Sequence, residues 1–182
     1  LAELPASIGS LNNLNRLYAN NNNLTTLPTS FSNLSSLTNL QMSNNQLISF
    51  SDCSMYTSLT HLNLSGNQLT SLPDFSMMSK VRNLELNNNN LAYLPTNIGL
   101  LVNLENLWIQ NNDIISISAE IGNLSSLQIL NANNNQIISI PAELGDLANL
   151  QQLYLGNNYL TTFSDNVCNI FPLQIFKIQN NN

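Results

Sequence analysis

The feature that most constrains this chain is an asparagine that returns at a fixed place in a unit of 22 or 23 residues. Counted from Leu14, the segment Leu14-x-x-Leu17-x-Ala19-x-x-Asn22-x-Leu24-x-x-Leu27-Pro28 begins again at Leu37, Leu59, Val81, Leu104, Leu127, Leu150 and Leu173. Position 9 of each unit is Asn22, Asn45, Asn67, Asn89, Asn112, Asn135, Asn158 and Asn181. Position 4 is apolar every time: Leu17, Leu40, Leu62, Leu84, Leu107, Leu130, Leu153 and Phe176. Repetition also explains the composition, in which 34 Leu and 36 Asn occur among 182 residues. Residues 1–182 read as a single repeat domain, with a partial unit at 1–13, complete units starting at 14, 37, 59, 81, 104, 127 and 150, and a partial unit at 173–182. Both ends fall inside a repeat and show no capping sequence, so a fragment of a longer protein is expected.

Elementary physics dictates what such a unit builds. Apolar residues at positions 1, 4 and 6, with a polar residue between the last two, give a short strand with one buried face. One unit cannot bury that face alone. Copies therefore stack into a parallel sheet over a continuous core. After the strand the chain turns inward and strands its own N–H and C=O groups away from water. An Asn amide both donates and accepts, so a column of them can satisfy those groups turn by turn, which Asp or Leu could not do. The asparagines that flank the column within the runs Asn20 to Asn23, Asn87 to Asn90 and Asn133 to Asn135 read as a compositional surplus.

Leu4-Pro5, Leu27-Pro28, Leu72-Pro73, Leu94-Pro95 and Ile140-Pro141 bend the chain into its outer return. Apolar pairs such as Phe31 and Leu34, or Ile98 and Leu101, then suit a short 3₁₀ turn. Two units, from Leu37 and Leu59, are one residue short and carry Cys53-Ser-Met55-Tyr56 and Phe75-Ser-Met77-Met78 instead. These read either as a repacked outer layer filled by flexible Met or as a contact patch with exposed Met and Tyr.

The pattern resembles the leucine-rich repeat family over the whole chain. The stretch LPTNIGLLVNL from Leu94 to Leu104 is similar to the 23-residue, Ras-group intracellular branch. The resemblance implies an α/β solenoid: a right-handed horseshoe with a concave parallel β-sheet and a convex side of short helical or 3₁₀ turns and loops. It also implies a scaffold or adaptor in signalling, or a regulatory segment of a larger enzyme. For the latter the order is a metal-dependent type 2C protein phosphatase, then an adenylate cyclase or a Roco kinase. A small GTPase or a phosphatase component becomes the expected class of partner.

Several function classes drop out on composition. Four basic residues (Arg16, Lys80, Arg82, Lys177) against ten acids give a net charge of −6, with no basic stripe for a phosphate backbone. No apolar run is long enough to span a bilayer. No phosphate loop, CxxC, HExxH or nucleophile elbow is present, and His61 is the single histidine, so no catalytic residue, metal site or cofactor is expected in this segment. Cys53 and Cys168 fall in units five strands apart, about 24 Å at the usual strand spacing, too far to pair. Without cysteine-capped ends the chain is expected to be cytoplasmic. Against this stand four N-x-Ser/Thr sequons, at Asn23, Asn33, Asn63 and Asn123, which keep a cell-surface recognition or adhesion protein as an alternative. Oligomeric state is left open.

Positions 3 and 5 of each strand point away from the core, and positions 7, 8 and 10 line one rim. Recognition can be written there. Trp108, Ile129 and Tyr154 fall on three successive strands, with Ile175 and Tyr159 beside them, and Trp and Tyr are frequent interface anchors. A second group is Arg16, Tyr18, His61 and Glu85, in which His61 is placed to face Glu85 diagonally. The expectation is a module that binds a protein partner on its concave face through these residues. Glu120, Glu143 and Asp146 read as solubilising charge on the outer side.

Overall fold

The structure is a computed structural model that describes residues 1–50 and 52–182. Among these residues eight three-residue strands form one open parallel sheet in strict sequence order: β1 (Arg16–Tyr18), β2 (Asn39–Gln41), β3 (His61–Asn63), β4 (Asn83–Glu85), β5 (Asn106–Trp108), β6 (Ile129–Asn131), β7 (Gln152–Tyr154) and β8 (Ile175–Lys177). Pairing is in register throughout, Leu17 opposite Leu40 and so on to Leu153 opposite Phe176. The middle residue of β2 to β7 is buried, as alternation requires, while the flanking residues are half-buried. Leu17 and Phe176, on the terminal strands, are only partly covered because each has a neighbour on one side.

The outer return is built as expected from the Pro-led bend. Short 3₁₀ turns at Ala6–Ser10, Thr29–Asn33, Thr96–Leu100 and Ala142–Asp146 each follow a proline, and those at Ala119–Asn123 and Asp165–Asn169 follow serine. Proline at the entry fixes φ near −65° and needs no donor there. In the two short units the turn is made differently. Asp52 Oδ1 accepts from Ser54 N at 2.8 Å and Asp74 Oδ1 from Ser76 N at 2.7 Å, a side-chain substitute for a backbone turn. Tyr56 is buried and its hydroxyl donates to Phe31 O at 3.0 Å, while Phe75 and Met78 are also buried. The repacked-layer reading therefore fits Tyr56 and Met78, and only Met55 and Met77 remain exposed for contact.

The asparagine column does what its position demands. Asn112 Nδ2 donates to Ile109 O in its own unit and to Leu86 O in the preceding one, both at 3.0 Å, and Asn112 Oδ1 accepts from Leu91 N at 3.0 Å. Asn45, Asn67, Asn89, Asn135, Asn158 and Asn181 repeat the same three bonds. Asn22, at the first turn, is half-buried and donates to Ala19 O and Asn20 O.

The neighbouring asparagines are no compositional surplus. Asn21, Asn44, Asn88, Asn111, Asn134, Asn157 and Asn180, all at position 8, have positive φ between 55° and 58°, and Gly66 takes the same place at 65°. The chain must pass through the left-handed region there to turn off the strand, and Asn and Gly are the residues that do so at least cost. Their exposed amides also bond along the stack, as in Asn111 Nδ2 to Asn88 Oδ1 at 2.8 Å and Asn134 Nδ2 to Asn111 Oδ1 at 2.7 Å.

Asn112→Ala leaves the buried Leu91 N–H without its acceptor and removes one of the two amide donors to Leu86 O and Ile109 O, which keep Asn89 Nδ2 and Asn135 Nδ2, and is expected to lower unfolding stability by about 2 kcal/mol. Asn22→Ala, at the half-covered first turn, is expected to cost about 1 kcal/mol. Urea denaturation of the two variants beside the parent measures both.

Candidate functional site: the exposed columns of the sheet

In-register pairing turns positions 3 and 5 into two straight columns on the concave side. Position 5 runs Tyr18, Gln41, Asn63, Glu85, Trp108, Asn131, Tyr154, Lys177, and position 3 runs Arg16, Asn39, His61, Asn83, Asn106, Ile129, Gln152, Ile175. Trp108 is half-buried on this face rather than in the core. Ile129, Tyr154 and Ile175 are likewise half-buried, which places an apolar band across β5 to β8. Tyr154 is held on both sides: its hydroxyl donates to Gln152 Oε1 at 2.8 Å, and Lys177 Nζ lies 5.4 Å from its ring centroid. Tyr159 stands on the rim, 52% exposed.

The second expected group does not assemble. Arg16 and Tyr18 sit on β1, and β2 lies between them and His61, with Gln41 Nε2 donating to Asn39 Oδ1. His61 Nδ1 hydrogen-bonds the Thr60 hydroxyl at 2.8 Å. The partner of Glu85 is Asn63, whose Nδ2 donates to Glu85 Oε2 at 2.8 Å. The diagonal His61–Glu85 contact is thus replaced by an amide–carboxylate bond along one column. Glu85 instead belongs with Trp108, its register partner on β5.

Burial pushes the Glu85 carboxyl above its ordinary value. Two residues beyond Trp108, Gln110 Oε1 is shielded from solvent and accepts from no donor among the described residues. Position 5 therefore passes from an under-compensated carboxylate to an aromatic ring within one strand spacing. Neither the Asn63–Glu85 bond nor the state of Gln110 carries a periodic signature, since each occurs once. Elsewhere on the rim, amides expected to be open for recognition are spent inside the stack: Asn20 Oδ1 accepts from Ser43 N at 2.9 Å, and Asn133 Oδ1 from Gly156 N at 2.7 Å.

Outside the sheet, Glu143 and Asp146 are exposed and Glu120 is half-buried, with its carboxyl held below the usual range by hydrogen bonds from its own backbone and Ser118. Cys53 is buried and Cys168 exposed, and no disulfide joins them. Burial, with Asp52 and Asp74 nearby, pushes the Cys53 thiol up to about 12. Among the described residues no three His, Cys, Asp or Glu side chains converge as metal ligands, and no helix is long and apolar enough to cross a membrane. A cavity of about 520 Å³ between Leu160–Phe163 and Ile178–Asn182 is the end face of the last turn, remote from the columns.

A family model described as leucine-rich repeat region matches residues 48–182, and a second, leucine rich repeat, matches residues 13–34. No curated protein matches the sequence. Among solved structures, a leucine-rich repeat protein of Leptospira interrogans, LIC12759, is 33% identical over 100% of this chain and 47% of that one, with a TM-score of 0.95. The functional domain of InlJ from Listeria monocytogenes, with a cysteine ladder, is 25% identical over 96% of this chain and 36% of that one, at 0.84. The plant peptide hormone receptor RGFR1, in complex with RGF2, is 29% identical over 99% of this chain and 30% of that one, also at 0.84. The chain thus spans less than half the length of each of these proteins.

Folded Glu85 binds a proton more readily than it does in the unfolded chain, so the stability it contributes in acid is lost as pH rises from the ordinary carboxyl value through the raised one. Glu85→Gln is therefore expected to raise the thermal midpoint relative to the parent at about pH 7, and the difference is expected to shrink at about pH 3, well below the ordinary carboxyl value. Scanning calorimetry at the two pH values tests this, and a lower midpoint for the variant at neutral pH contradicts it.

Proposed function

Because the chain belongs to the leucine-rich repeat family, we propose that its concave sheet is a protein-binding surface whose grip lies on Trp108, Ile129, Tyr154 and Ile175. The observation that carries this reading is the band itself. Large apolar side chains stand half-exposed on four consecutive strands, none of them needed to close the core, and Tyr154 is already fixed by Gln152 and Lys177. An aromatic ordered before binding loses little freedom on contact, which is what makes a good anchor. Recognition of a peptide by RGFR1, a protein of the same architecture, supports a polypeptide as occupant.

The module acts as a scaffold in intracellular signalling, with a small GTPase or phosphatase component as partner class. This reading takes the compartment to be reducing, one in which Cys53 and Cys168, too far apart to pair, stay as thiols. A second reading, recognition at the cell surface, is favoured by the sequons: Asn23, Asn33 and Asn123 are exposed. Asn63 is the exception, because its amide is engaged by Glu85.

Trp108→Ala and Tyr154→Ala are each expected to weaken binding by about 2 kcal/mol, roughly 30-fold, as central anchors do. Met55→Ala on the outer side is expected to leave affinity unchanged. Titration calorimetry against a panel of small GTPases and phosphatase subunits measures this. Parent-like binding by both folded concave variants contradicts the reading.

A further inference from the structure

We infer that the concave face receives an arginine side chain of its protein partner between the Glu85 carboxylate and the Trp108 ring. The inference rests on the concave reading above and names what the partner must bring.

Glu85 is a half-buried carboxylate whose one described hydrogen bond comes from a neutral amide, Asn63 Nδ2. None of the four basic residues of the chain pairs with it. Arg82 pairs with Glu105, Lys177 lies over Tyr154, Lys80 is exposed in the outer return, and Arg16 is three strands away, about 14 Å. Among the described residues no cation therefore compensates the charge, which has the Asn63 amide alone. Burial raises its proton affinity, so the carboxylate is kept at a cost to stability, as groups retained for binding are.

Trp108 is Cα-paired with Glu85, one strand spacing away. A carboxylate beside an indole face is complementary to a guanidinium: the ring attracts the cation through its quadrupole, the plane stacks, and the N–H fork binds the carboxylate. The same sheet already shows the geometry. On β7 and β8 the position-5 pair Tyr154 and Lys177 brings an ammonium 5.4 Å from a ring centroid. Glu85 and Trp108 repeat that layout with an anion in place of the cation, leaving the cation to be supplied from outside. A net charge of −6 draws such a partner in at long range.

The chain has a single tryptophan, so Trp108 fluorescence reports this site directly. The probe is a capped tetra-arginine peptide, with tetra-glutamate as control. Tetra-arginine is expected to change the emission saturably and tetra-glutamate to leave it unchanged. Glu85→Gln is expected to weaken tetra-arginine by about tenfold, Glu85→Asp by less, and the exposed Glu143→Gln, which removes the same charge, by no more than about twofold. Equal weakening by Glu85→Gln and Glu143→Gln reduces the effect to diffuse charge and overturns the assignment, as does the absence of a saturable change. A protein partner that needs Trp108 and Tyr154 but tolerates Glu85→Gln overturns the arginine alone and leaves the concave reading standing.

Discussion

The structure depends on one arrangement: an asparagine at the end of each strand that holds three main-chain groups, two of them in the preceding turn. Without it, each inward turn would bury donors and acceptors that no strand or helix can reach. Apolar burial drives the turns together, but burial is indifferent to sliding by a residue. The amide bonds are not, and they lock one turn onto the next. In-register pairing of all eight strands follows.

Register then determines what the surface can do. Since every unit presents positions 3 and 5 on the same face, side chains far apart in sequence become neighbours at strand spacing. Trp108, Ile129, Tyr154 and Ile175 form a band for that reason alone. The core asks nothing of these positions, so their chemistry varies along the sheet: each of β5 to β8 carries one large apolar or aromatic side chain beside a polar one, while β2 to β4 carry only polar or charged ones. Glu85 and Trp108 mark the boundary between the two regions.

Much of this was legible in the sequence because periodicity multiplies weak signals. The strand phase, the inward position 4, the position-9 asparagines and both outward columns all repeat eight times, with position 4 fully buried on the six inner strands. What escaped was of two kinds. The position-8 asparagines were visible yet misread, because an asparagine beside the column gives no sign that its φ is positive. Events that occur once left no pattern at all. Tyr56 turns inward in a unit shortened by one residue, Asn63 takes the carboxylate expected to face His61, and Gln110 Oε1 has no donor among the described residues. Such contacts are decided by local rotamers, which spacing does not encode.

The most direct test of the asparagine column is amide hydrogen exchange in the native protein. The N–H groups of Leu47, Leu69, Leu91, Ile114 and Ile137, each bonded to an asparagine Oδ1, are predicted to be as protected as those of the strands, and Asn112→Ala to release Leu91 while Leu47 stays protected. Rapid exchange at these five positions in the parent, or an unaltered Leu91 in the variant, would contradict the claim that side-chain amides lock the stack.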